Sequence, residues 1–178
     1  MMNPSTTHLG SGEGSKSLWV LGELVTYKVT AEQTSGAYSL FEVVTRPGGS
    51  PSPHIQHQED ECFYVLEGEF EFLNNGGVVE ASAGSLVYVP RGNLHTYKNV
   101  GSEPGRMLVS QTPGGLHERF FEELGEEAQR LTAPPALEGQ PDIRRIAMAA
   151  AKYGIEMPLP PQARNGYRTA MINRRCSR

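Results

Sequence analysis

Val25, Tyr27 and Val29 alternate with Thr26, Lys28 and Thr30, the period of a strand that buries one face. Leu40–Thr45 reads as a second strand, reached through a turn at Ser35 and Gly36, and Arg46–Pro51 then breaks regular structure. Cys62–Leu66 and Glu69–Leu73 flank Glu67 and Gly68 and predict a hairpin. Asn74–Gly77 predicts another turn, because asparagine and glycine tolerate positive φ. Val78 and Val79, Leu86–Val89, Leu94–Lys98 and Met107–Gln111 continue the series, with glycine or proline between them. Many short strands at this pitch predict an all-β sandwich or barrel. After Pro113-Gly114-Gly115 the period changes: Leu116, Phe120, Phe121 and Leu124 form the apolar stripe of a helix, with acidic residues opposite. A second helix is predicted from Pro141 through Ile143, Ile146, Ala147 and Ala150 to a stop at Gly154.

The chain's 178 residues suit one domain with tails. An apolar share of 38%, 20 glycines and 13 prolines favour many turns over long helices. The pattern divides the chain into a flexible arm at residues 1–16, a β-domain at 17–115, a helical extension packed on it at 116–160, and a basic tail at 161–178. A formal charge of -4 gives no basic face for phosphates, so no nucleic acid is expected. The Ser-, Thr- and Gly-rich stretch Met1–Lys16 lacks the apolar core of a signal peptide or anchor, and no run spans a bilayer, so no membrane is expected. Cys62 and Cys176 form no close-spaced pair, which fits a reducing, cytoplasmic setting.

Two spacings carry chemistry. The first is Gly48, then His54-Ile55-Gln56-His57-Gln58-Glu59-Asp60-Glu61, then Gly68; the second is Gly84, then Pro90-Arg91-Gly92-Asn93-Leu94-His95, then Asn99. They resemble the two motifs of the cupin superfamily, G-x5-H-x-H-x4-E-x6-G and G-x5-P-x-G-x2-H-x3-N. The second matches in full; in the first, Gln56 stands where the family has its second metal-binding histidine. With Ser35–Tyr38, Phe63–Gly68, Thr112–Gly115 and Ala150–Ile155, the chain looks like bacterial single-domain cupins related to quercetin 2,3-dioxygenase, over about Leu18 to Pro160. The resemblance implies a cupin jelly-roll barrel, a double-stranded β-helix, with C-terminal helices.

Residues two apart on a strand share a face, so His54 and Gln56 should look into the barrel while His57 looks away. Glu61 lies at an odd offset from them, and Gln58-Glu59-Asp60 can supply the turn that returns it to that face. The expected metal set is His54, Gln56, Glu61 and His95, with His57 as the rival to Gln56. Such a set suits one divalent ion among Fe, Mn, Ni, Co, Cu and Zn. An amide oxygen is a weaker donor than imidazole, so Gln56 should lower affinity by about one to two powers of ten. Phe63, Val65 and Tyr97 share the parity of Glu61 or His95 and are candidates to bind a flat ring; ordinary core is their competing role. The helix of Leu116, Phe120 and Leu124 can close one barrel end. His8, in the arm, and His117, on the polar side of that helix, receive no role.

The resemblance implies a small-molecule substrate and a metal-dependent dioxygenase acting on an aromatic or enolic compound, with Glu61 both ligand and base. The alternatives are a non-catalytic small-molecule-binding cupin and a metal-dependent isomerase. A greasy lumen favours the aromatic substrate, whereas one lined with Lys, Arg and Asn favours sugars or acids. A homodimer is also expected, with the strand of Val25, Tyr27 and Val29 adding to a neighbour's sheet.

Overall fold

A computed structural model describes residues 6–10, 13–132 and 142–158. In chain order these form β1 (Lys16–Val20), β2 (Glu23–Val29), β3 (Ser39–Thr45), β4 (His54–Gln56), β5 (Asp60–Glu67), β6 (Glu69–Asn74), β7 (Gly77–Ser82), β8 (Leu86–Val89), β9 (Leu94–Asn99) and β10 (Gly105–Thr112). Then follow α1 (Leu116–Leu124), β11 (Glu126–Glu127), α2 (Ile143–Lys152) and β12 (Ile155–Glu156). A seven-stranded sheet has the order β11-β1-β2-β3-β10-β5-β8, and a five-stranded sheet the order β12-β4-β9-β6-β7. Every strand pair is antiparallel. From β3 to β10 the chain changes sheet at every connection except β6–β7, the winding of a jelly roll. The sequence-based expectation of an all-β jelly roll with C-terminal helices therefore holds, in the form of two facing sheets.

Both inner faces share one core. Phe41, Val43, Phe63, Val65, Met107 and Val109 from the larger sheet meet Phe70, Phe72, Ala81 and Tyr97 from the smaller, all buried. Strict alternation produces this: on β5, Glu61, Phe63 and Val65 point inward while Tyr64 points out. Each buried Phe contributes about 1.5–3 kcal/mol through area removed from water. Edge-on contacts such as Phe63–Phe72, with ring centroids 5.1 Å apart, add about 0.5–1.5 kcal/mol.

The hairpin predicted around Gly68 is not formed. β5 belongs to the larger sheet and β6 to the smaller, so Gly68 is a corner between sheets. Its φ is +93°, and a Cβ there would sit 2.8 Å from the Cα of Gly105, so glycine is needed on both counts. The true hairpin is β6–β7, closed by Asn74–Gly77. β1 pairs with β2 around Leu21 and Gly22, both at positive φ. Leucine is an unusual residue for that position, so turn chemistry gave no signal for this hairpin.

β2 lies between β1 and β3, so it has no free edge to offer a second copy, contrary to the route expected for a homodimer. α1 presses Phe121 and Leu124 against the sandwich core, and Phe120 packs with Ile146, Ala149 and Ala150 of α2. α2 is capped by Asp142, whose side chain accepts from the backbone N–H groups of Arg144 and Arg145. It ends at Lys152, just before Gly154 at φ +74°. Pro141, the basic tail, Cys176 and residues 1–5, 11 and 12 of the proposed arm lie outside the described residues, and His8 is exposed.

Candidate metal centre

β4 and β9 are neighbours, and their register places His54 directly opposite His95. Glu61 faces them from β5 in the other sheet, so the cluster bridges the sandwich. Glu61 Oε2 lies 2.6 Å from His95 Nε2 and 3.9 Å from His54 Nε2. One potential ligand atom from each of the three residues lies within 4.8 Å of the others. Each imidazole is oriented from behind: Nδ1 of His54 donates to the Ser52 carbonyl and Nδ1 of His95 to the Asn93 carbonyl, both at 3.0 Å. A carbonyl only accepts, so both Nδ1 atoms carry protons and both Nε2 atoms face Glu61, the backing that metal-binding histidines use.

Residues 41–110 match the cupin domain family. This segment is a cupin domain. The chain is 29% identical over 119 residues to quercetin 2,3-dioxygenase of Bacillus subtilis, covering 66% of its own length and 34% of that protein. It is 33% identical over 85 residues to the polyketide synthase protein CurC of Streptomyces cyaneus, covering 48% of its own length and 54% of that protein. It thus spans about a third of the first relative and about half of the second. Among solved structures, a predicted oxalate decarboxylase from Thermotoga maritima superposes with a TM-score of 0.55 at 22% identity, over 60% of this chain and 99% of that one. That likeness is one of fold.

Gln56 is 2% exposed, and both its Oε1 and Nε2 are buried without a hydrogen-bond partner among the described residues. Unpaired buried amides are rare and costly. An orphaned acceptor two residues from His54 on the same strand face, together with the hard-and-borderline donor set of the cluster, fits a divalent ion. His57 points the other way: it is exposed and its Nε2 lies 3.0 Å from Glu156 Oε2.

Charge is arranged unevenly inside this cupin's site. Burial would push the Glu61 carboxyl up, but the hydrogen bond from His95 and the nearby His95, His117 and His54 rings outweigh it and hold the group at about 2. His95 moves the opposite way, raised by the bond and charge of Glu61 against its loss of hydration. His54 falls to about 4, mainly through lost hydration and then the His95 charge. Near neutral pH His54 therefore offers a free Nε2 lone pair, whereas an ion binding at His95 competes with the hydrogen bond between its Nε2 and Glu61.

A cavity of about 50 Å³ adjoins the cluster, bounded by His54, Glu61, Phe63, Tyr97 and Phe121 together with residues of β3 and β10. None of the residues lining it is lysine or arginine. Phe63 and Tyr97 thus reach the cavity as expected, although the Tyr97 hydroxyl turns away to Glu23 at 2.7 Å. Val65 does not: it is fully buried in the core beyond the cavity.

Three further side chains complete the site. Gln111 Nε2 donates to Glu61 Oε1 at 3.0 Å from the adjacent strand. Glu59, 2% exposed, accepts the backbone N–H groups of Leu116 and His117 at the start of α1. His117, assigned by helical periodicity to a polar surface, is instead 5% exposed and lines the cavity. The sequence signalled Gln111, since Met107, Val109 and Gln111 share one inward parity. Position on an amphipathic helix gave no such signal for His117, because the first turn of α1 faces an open end of the sandwich rather than water.

Proposed function

We propose that this cupin is a metal-dependent dioxygenase acting on a small enolic or phenolic substrate. The reading is carried by one juxtaposition: the histidine–carboxylate cluster opens onto a cavity walled by Phe41, Val43, Phe63, Val109 and Phe121, with no cationic side chain. His54, Glu61 and His95 would hold the ion, with the Gln56 amide as the fourth protein donor. A divalent transition ion bound there polarises an enol or phenol oxygen and lowers its pKa. The aromatic walls then hold the ring or enol plane and exclude water, while Glu61 is kept ionised by its histidine neighbours. The small cavity favours a compact substrate over a fused-ring flavonol, since pockets for drug-sized ligands run to about 300–1,000 Å³. Lack of Lys and Arg in the wall weighs against an isomerase of sugar phosphates or keto acids, whose anionic groups need a counter-charge.

The test is metal content after preparation without added ions, followed by oxygen uptake with Fe, Mn, Co, Ni and Cu supplied in turn, using acetylacetone and a flavonol as substrates. Uptake with acetylacetone and little with the flavonol is expected. Metal binding with no uptake from any enol would leave the non-catalytic binder, and failure to bind any ion would remove both.

The homodimer belongs to the same proposal, moved to another edge. β8 ends the larger sheet among the described residues, and its outer face shows Leu86 at 62% and Tyr88 at 56% exposure beside Tyr64 at 42%. Leu86→Glu should convert the species seen in sedimentation velocity to monomer; a dimer that survives it uses another surface.

A further inference from the structure

We propose that Glu59 and His117 form a second acid–base element of the site, in which His117 takes the hydroxyl proton of a small enol or phenol bound beside the cluster. The inference rests on the functional reading above, that such a compound enters this cavity.

His117 is the second residue of α1, and its ring closes the cavity on the side of the helix. Phe121 and Phe120 meet that ring edge-on, with centroids 4.7 and 5.5 Å away, and the His54 ring lies 6.3 Å away across the cavity. Its Nδ1 is 3.4 Å from Glu59 Oε2. The other oxygen of Glu59 is fixed by the Leu116 and His117 backbone N–H groups at 3.1 and 3.3 Å. The carboxylate is therefore anchored at the helix N-terminus and cannot swing. In the neutral imidazole, Nδ1–H donates to that carboxylate and Nε2 is the acceptor. Nε2 makes no hydrogen bond among the described residues, and no role has yet been given to it. A base oriented by a buried carboxylate is the arrangement that general-base catalysis needs.

Glu61 is the obvious competitor, but its Oε1 accepts from Gln111 at 3.0 Å and its Oε2, 2.6 Å from His95 Nε2, belongs to the cluster that would hold the ion. His117 has no such commitment. In the step, the substrate O–H bond breaks, the oxygen keeps the electron pair as enolate or phenolate, and the proton bonds to Nε2. The imidazolium charge is matched by Glu59, and nothing is oxidised. The ionisable groups facing His117 are Glu59 from the β4–β5 loop and His54 and Glu61 from the two sheets. Glu118, its neighbour on α1, is turned away and bonded to Ser39 Oγ and the Ala31 N–H.

The test uses the full chain loaded with zinc, which is redox-inert, and acetylacetone as the enol, its ionisation followed by difference absorbance against pH. His117→Phe should leave zinc stoichiometry in place, lower the thermal midpoint because the buried Glu59 loses a partner, and raise the pH at which bound acetylacetone ionises by about one unit or more. Glu59→Gln keeps the oxygen that caps α1 and removes the charge, so it should raise the same midpoint by less. An unchanged ionisation midpoint in both variants overturns the proposal, as does loss of zinc in His117→Phe, which would make the ring a ligand. If His117→Phe does not fold, Glu59→Gln decides alone: no shift, and the proposal fails. A wild-type protein that takes up neither zinc nor acetylacetone refutes the functional reading itself, and that result is visible before any variant is compared.

Discussion

Glu61, at the metal-site end, and Glu23, half-buried further along the lumen, are two carboxylates on which burial acts in the same direction. They nevertheless titrate oppositely. Glu61 has three imidazoles around it and is lowered to about 2. Glu23 is raised, because burial outweighs hydrogen bonds from the neutral hydroxyls of Thr45 and Tyr97, both at 2.7 Å from its Oε1. The Tyr97 phenol is itself pushed well above its usual range by burial and by Glu23. Hydrogen bonds to a carboxylate thus do not suffice to keep it charged in this interior; positive or protonatable partners do. One end of the lumen favours the charged carboxylate, the other shifts the balance toward the neutral carboxyl.

The largest test of that contrast is His95→Ala. It removes the principal partner of a buried carboxylate, so denaturant unfolding of the metal-free protein should show a loss of about 3–5 kcal/mol, and zinc binding by titration calorimetry should disappear. Gln56→Ala comes next, with zinc affinity falling by about tenfold to a hundredfold while metal-free stability changes little, since the lost amide was unpaired. Glu23→Gln sharpens the other side. A carboxyl with a raised folded-state pKa binds more protons folded than unfolded, so its contribution to stability falls as pH rises from about 4.5 upward. Glu61, with a lowered value, does the reverse: its contribution is present above about 4.5 and is lost as pH falls toward 2. In Glu23→Gln the decline above pH 4.5 should flatten while the acid-side loss remains, as followed by thermal melts across pH. The smallest effect belongs to His57→Ala, whose exposed ring should leave both zinc affinity and stability unchanged to within about 0.5 kcal/mol.

How far the sequence reaches can be judged from particular residues. His54, Glu61 and His95 were legible because their spacing resembles the two cupin motifs; strand parity explains why each faces the interior, whereas their meeting across two sheets is a tertiary fact. The turn expected at Gln58–Asp60 is shorter, since Asp60 already belongs to β5. Parity also separated buried Gln56 from exposed His57. Gly68 was misread because a glycine turn announces a change of direction without saying which strand will pair; that choice is made by the distant β10, which takes β5 into its own sheet. Glu59 looked like a turn residue and His117 like a solvated one. Their meeting depends on where α1 docks, a tertiary fact that periodicity does not contain. Val65 shared the parity of its neighbours but lies too deep along the strand to reach the cavity, since parity fixes a face and not a depth.

The cluster draws His54 and His95 from one sheet and Glu61 from the other. An ion seated among them would act as a rivet through the sandwich, and prising the layers apart would require its release. Chelators and heat should then push along one coordinate: stripping the ion lowers the melting temperature, and warming loosens the grip on the ion, by mass action alone.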